Sequence, residues 1–339
     1  MTRADVCAVI LWVGATFYAL FGGADFGGGF WDLIAGGAER GERPRALIQR
    51  SLTPVWEANH VWLIFILVVL WTAFPPAFSA VMTTLYVPIA LAALGIVLRG
   101  SGFAFRKSIE GLSGRRAAGA TFAISSLLTP FFMGAVVGAI ASGNVPGEGN
   151  GDPFSSWLEP LPLLTGAMFV ASGAYLAAVF LIADAHRAGE PELRGYFARR
   201  ALAAAAAAGV AAAFGLVELH AEARYIFDRL TDQGLPLVIL SLLCGIGVLV
   251  ALLSVVRRPE TKPPSSLRPL AGGAVVTVIW GWGVAQFPYL LPTSLKITQS
   301  AAPPDTLATV IVVFLAAAVL VLPSLGLLYW LSQKELLGE

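Results

Sequence analysis

The chain reads as an all-α integral membrane protein with nine transmembrane helices, and three observations carry that reading. Hydrophobic residues make up 57% of its 339 residues and charged residues only 13%, with a mean hydropathy of +0.77. Apolar runs close to the roughly 20 residues that cross a hydrocarbon core recur along the whole length. Turn residues separate them: Pro75-Pro76, the Gly- and Pro-rich stretch from Gly143 to Pro153, Pro259 with Pro263-Pro264, and Pro303-Pro304. A soluble fold of this size has no means of hiding so much apolar surface, so lipid covers much of it. The net charge of +1 offers nothing to nucleic acid.

The helices fall at roughly 4–35, 54–74, 78–101, 118–141, 160–184, 197–216, 235–256, 269–290 and 306–331. The first exceeds the length a span needs, so it tilts or extends beyond the membrane. It follows a single base, Arg3, and lacks a small-residue cleavage site, so it reads as a span and not a cleaved leader. The sixth carries Ala201 and the run Ala203 to Ala208 and is expected to pack closely on its neighbours. No loop is long enough for a separate domain, so residues 1–339 read as one polytopic membrane domain. Within it, 4–141 and 160–290 are expected to form two parallel four-helix units, and 306–331 a peripheral ninth helix. Cys7 and Cys244 lie far apart in apolar runs, in no metal or redox spacing, and read as packing residues.

Orientation follows from the bases. Arg40, Arg43, Arg45 and Arg50 follow the first span. Arg106, Lys107, Arg115 and Arg116 follow the third, Arg187, Arg194, Arg199 and Arg200 the fifth, and Arg257, Arg258, Lys262 and Arg268 the seventh, with Lys334 in the tail. The opposite side holds only Arg3, Arg224, Arg229 and Lys296. The basic side faces the cytoplasm, which puts the N-terminus outside and the C-terminus inside.

Two spans carry acids that a lipid-facing helix does not tolerate. Asp25 lies in GGADFGGGFWDL (Gly22 to Leu33) and Glu57 in PVWEANHVW (Pro54 to Trp62). An ionised group at bilayer depth costs roughly 3 kcal/mol on the gentlest insertion scales, so such groups face protein, a wet cavity or an ion path. The topology places Asp25, Glu57 and Arg99 together in the cytoplasmic half, on consecutive helices. His60 shares the Glu57 helix face three residues on. A buried group of this kind either moves protons through its carboxylates or compensates charge as a static pair, and both readings stand. Asp32, Asp184 and His186 are expected at the inner surface, and His220, Glu218 and Glu222 in a wet outer loop.

The first helix also repeats small residues at Ala15, Ala19, Gly23 and Gly27, a stripe that admits close helix approach, expected within this chain. Trp56 suits an interfacial aromatic belt, whereas Trp62 lies about two turns into its helix, too deep for one. The chain has three histidines, His60, His186 and His220, none of them paired at i, i+4 toward the membrane interior, and no CxxCH, HExxH or nucleotide fingerprint. Bis-histidine haem binding and metal chemistry are therefore not expected of this chain alone.

Four motifs in order, GADFGGGFWDL, PVWEANHVWLIF, LRGSGFAFRK (Leu98 to Lys107) and QFPYLLPTS (Gln286 to Ser294), resemble subunit II of the cytochrome bd-type quinol oxidases. The resemblance implies a nine-span subunit of a respiratory terminal oxidase in a bacterial or archaeal cell membrane. Such an enzyme oxidises quinol and reduces dioxygen to water, with haems b and d in the partner, subunit I. It leaves room for a structural quinone and for small accessory membrane subunits. On that likeness Asp25, Glu57 and Arg99 match charged family positions, and Trp62 matches a tryptophan near a dioxygen access route. His60 replaces another polar residue, and Ala104 stands where some members carry an acid. Two other readings compete: an ion-coupled secondary transporter with a helix broken at its glycines, and a purely structural scaffold.

Overall fold

The computed structural model describes residues 1–37, 39–52, 56–105 and 112–333. Pro54, Arg106, Lys107 and Lys334 lie outside these residues, as does any account of the Trp56, Arg115 and Arg116 side chains. Helix α1 (Arg3–Phe17) begins at a capping box, in which Thr2 accepts from the Asp5 N–H and Asp5 accepts from the Thr2 N–H. It passes through a π turn (Tyr18–Gly22) into α2 (Gly23–Leu33). The short α3 (Glu42–Leu52) precedes α4 (Trp56–Ala73), and α5 (Pro75–Thr84) precedes α6 (Tyr86–Phe105). Then follow α7 (Leu112–Ala141), α8 (Pro160–Arg187), α9 (Pro191–Glu222), the short α10 (Arg224–Thr231), α11 (Leu235–Arg257) and α12 (Leu267–Gln286). A hairpin of β1 (Tyr289–Leu291) and β2 (Leu295–Lys296) leads through α13 (Ile297–Ser300) to α14 (Pro304–Gln333). Among the described residues, 7 helices suit a membrane crossing by length and apolarity, or up to 9 when each of two bent pairs is taken as one span. This is a multi-pass membrane protein.

Two expected limits need correction. The third span does not run straight from 78: α5 and α6 meet at an angle of 86° about Leu85. Pro88 is the cause, because it has no N–H for the Thr84 carbonyl and its ring crowds that oxygen. The eighth span stops at Gln286, where Phe287 turns extended and the chain enters the hairpin. By contrast, the first helix is continuous. Gly22 closes a π turn, which inserts a residue without parting the helix, and the glycines that follow lie within α2, so the broken half-helices of a transporter site are not found there.

The apolar core divides by level along the bundle. One cluster joins Trp31 of α2, Ile48 of α3 and Phe122 of α7 to α8, α9, α11 and α12 through residues such as Ile182, Phe197 and Leu252. The other joins Ile10 of α1, Phe74, Leu85, Ala135 of α7, Trp157, the hairpin and Leu307 of α14. Cys7 belongs to it, with its sulfur 3.7 Å from the Leu307 carbonyl, and both cysteines are free. The first helix and α7 thus pack into both levels.

Small residues decide how tightly the first helix sits. A Cβ on Gly27 would overlap the backbone carbonyl of Gly173 on α8, and one on Gly29 would overlap the Ser126 hydroxyl on α7. Gly23 and Gly27 of the stripe pack within this chain, at the crossing of α2 with α8. The sixth span packs closely on α8 as expected over its first half and departs from expectation over its second. Its first turns bury one face, Leu193, Phe197, Ala198, Ala201 and Ala204, but only 11% of its most apolar stretch is covered, with Val210, Phe214 and Val217 on the chain surface. Alanines allow close approach but do not supply a neighbour. We expect Gly27→Val to lower the thermal stability of the assembled protein by about 1–3 kcal/mol, the usual cost of overpacking. Gly209→Ala, where no atom lies within 4 Å of the added Cβ, serves as the control in the same melting experiment and should leave stability unchanged or raise it by up to about 1 kcal/mol.

Candidate functional site

The glycine-lined crossing exists beside a buried ion pair. Arg99, six residues before the end of α6, is 1% exposed, and Asp25 is 2% exposed. The Arg99 Nη2 lies 2.9 Å from Asp25 Oδ1, and Nη1 donates to Oδ2 at 3.1 Å. Nη2 also donates to the Asp25 carbonyl at 3.2 Å, and Nε to the Ser126 hydroxyl at 3.0 Å. The guanidinium is held between two phenyl rings, 4.8 Å from the Phe26 centroid and 5.0 Å from that of Phe122. Desolvated cation–π contacts of this kind contribute up to about 2 kcal/mol. Two-point pairing, a carbonyl, a hydroxyl and two ring faces together offset the loss of water around the charge.

Each contributor is placed by local chemistry. Asp25 sits in the first turn of α2, just after the π turn, and Asn59 of α4 donates to the Phe21 carbonyl within that turn at 3.3 Å. Ser126 returns its own proton to the Phe122 carbonyl at 2.7 Å, which leaves its lone pairs free for Arg99. Pro130 lies four residues on in α7 and lacks the N–H that would bond the Ser126 carbonyl. Gly29 keeps the space that Ser126 fills.

The remaining sequence candidates fall differently. His60 is half-buried with its ring edge-on to Phe26 at 6.0 Å, so it borders the pair. Glu57 does not join it. It is exposed in the first turn of α4 and makes no ion pair or hydrogen bond among the described residues. The free N–H groups and positive dipole at that helix start make an acid tolerable without burial. Its placement in a buried cluster is therefore corrected. Trp62 is 7% exposed, stacked on Phe17 with centroids 4.5 Å apart and edge-on to Phe65 at 6.3 Å.

Several polar groups depart from expectation. Asp32 is buried and paired with Arg45 at 3.2 Å, and Arg45 also closes over the Gly36 and Gly37 carbonyls. Asp184 pairs with both Arg187 and Arg268. His186 contacts the buried Arg194, while Glu218 and Glu222 are half-buried, and of the expected wet trio only His220 is exposed. Ser126, Phe26, Phe122 and Asn59 were not foreseen as site residues. Asn59 stands inside the PVWEANHVW motif, and that polar residue in an apolar span was the available signal. No group of three His, Cys, Asp or Glu side chains suited to a metal occurs among the described residues.

The energetic asymmetry of the pair can be measured. Arg99→Leu strands a buried carboxylate and should cost about 3–5 kcal/mol, whereas Asp25→Leu with Arg99→Leu removes both charges and should cost clearly less. A double-mutant cycle on the melting of the assembled protein reads the difference, and additive costs would count against a coupled pair.

Comparison with known proteins accords with this architecture. A family model described as cytochrome bd terminal oxidase subunit II matches residues 3–332. The chain is 26% identical over 317 residues to the Escherichia coli (strain K12) cytochrome bd-I ubiquinol oxidase subunit 2, spanning 84% of this chain and 80% of that one. It is 28% identical over 129 residues to the Bacillus subtilis (strain 168) cytochrome bd ubiquinol oxidase subunit 2, a match covering 38% of this chain and only 36% of its relative. The fold superposes on a chain of the bd oxidase from Geobacillus thermodenitrificans with a TM-score of 0.79 at 24% identity, covering 98% of each. The chain therefore belongs to the cytochrome bd terminal oxidase subunit II family.

Proposed function

We propose that this chain works in a bacterial cell membrane beside a haem-bearing subunit I, in an enzyme that couples quinol oxidation to reduction of dioxygen to water. Haems b and d of that partner would supply the electron transfer and the dioxygen chemistry. The basic loops support an outside N-terminus and a cytoplasmic C-terminus. Short loops and the helix order support two four-helix units, 4–141 and 160–290, with 306–331 peripheral. A structural quinone and accessory subunits belong to the same reading.

Two roles separate the acids, and one observation carries the division: Asp25 is clamped in the interior while Glu57 stands free at the chain surface. A guanidinium does not give up its proton, so the Asp25–Arg99 pair is a fixed brace tying α2, α6 and α7. Glu57 is the proton-accepting carboxylate, presented toward the cytoplasm and the partner, with His60 one turn along the same face as the next station. Dioxygen reduction consumes protons. Drawing them from one side makes turnover electrogenic, worth about 2.3 kcal/mol per charge at 100 mV. The apolar stack of Phe17, Trp62 and Phe65 suits passage of dioxygen, which needs no polar contact.

In the assembled oxidase in vesicles, Glu57→Gln should lower oxygen and proton uptake on the order of a hundredfold, the usual worth of a positioned proton-transfer group, and Glu57→Asp should restore most of it. Asp25→Asn should lose stability while its assembled fraction keeps turning over. Full turnover in Glu57→Gln would end the proton role. Substituting Trp62 by Ala should change the KM for dioxygen with kcat retained, read by oxygen electrode at varied dioxygen.

A further inference from the structure

At the end of the bundle that carries Arg45, Arg194 and Arg268, Arg200 is a half-buried cation with no acid paired to it among the described residues. Arg45 pairs with Asp32, Arg43 with Glu190 and Glu192, and Arg187 and Arg268 with Asp184. Arg194 is held by the Thr261 and Glu260 carbonyls and by His186. Arg200, in the third turn of α9, makes no ion pair among the described residues. It is half-buried, its guanidinium stacked 3.3 Å over the Tyr196 ring and 5.8 Å from that of Trp31. Its Nε and the Tyr196 hydroxyl are both out of contact with solvent and lack a hydrogen-bond partner. The charge that bears on it from its own helix is Arg199, of like sign and exposed. Positive charge accumulates here with donors unspent.

The donor set has a matching acceptor. The planar guanidinium fork of the half-buried Arg200, beside the exposed Arg199, suits phosphate oxygens at the headgroup level of a bilayer. The same helix supplies the rest of a lipid site. At 100° per residue, Val210 and Val217 share the face of Arg199, and they are 57% and 63% exposed. A free anion would have no use for that apolar flank. We propose that Arg200, with Arg199 and Tyr196, binds the phosphodiester headgroup of an anionic membrane lipid whose acyl chains lie along the outer face of α9. Arg200 itself reaches from α9 toward Trp31 of α2, so a headgroup bound to it would sit at the junction of the two helices. The proposal rests on the membrane-spanning reading of α9 and not on any proton role.

The test uses the assembled oxidase as wild type, Arg200→Gln and Arg200→Lys. Each is stripped of lipid in detergent and offered phosphatidylglycerol or phosphatidylcholine, and retained lipid is counted by native mass spectrometry. Wild type should hold phosphatidylglycerol about fivefold more tightly than Arg200→Gln, the factor one cation near an anionic headgroup is worth. Phosphatidylcholine should show no such difference, and excess inorganic phosphate should not displace the bound lipid. Arg200→Lys keeps the charge without the fork and should fall between; it carries the comparison if Arg200→Gln does not assemble. Equal retention across the variants overturns the proposal, and so does displacement by inorganic phosphate. Quinol-dependent oxygen uptake, measured alongside, reports separately on the oxidase reading.

Discussion

An arginine fully removed from water inside a membrane bundle is the constraint around which the first half of this protein is arranged. Burial strips the Arg99 guanidinium of its hydration, so the structure has to supply what water would. Asp25 supplies the counter-charge, its own carbonyl and Ser126 supply acceptors, and Phe26 with Phe122 supply ring faces. Those partners come from α2 and α7, so satisfying one side chain fixes three helices against one another. The glycines follow from the same demand. Ser126 reaches Arg99 only because Gly29 has no Cβ, and α2 approaches α8 only because Gly27 and Gly173 meet backbone to backbone.

This arrangement also separates the two membrane acids. A carboxylate shared between two guanidinium nitrogens inside the core holds position, whereas one in the first turn of a helix, free of partners, can exchange with its surroundings. Glu57 and Asp25 have similar chemistry and lie on neighbouring helices, but burial and pairing give them different surroundings. His60, edge-on to Phe26, stands between the two environments.

The amino-acid order alone determined the class of protein, most of the spans to within a few residues and which apolar runs carry an acid, because hydropathy, proline and charge are local properties. It also pointed to Arg99 as the partner of Asp25, since two unlike charges deep in apolar runs have few other ways to persist. Tertiary structure decided what depended on direction. The face of α4 on which Glu57 projects, the bend that Pro88 imposes and the polar hydroxyl of Ser126 opposite a glycine cannot be read from periodicity. Each is set by which helix lies across from it. Asp32 and Arg45 make the same point: an acid near a helix end looks solvated in one dimension and is buried once a loop arginine folds over it. Composition fixes what must be hidden, and only packing specifies the neighbour that hides it.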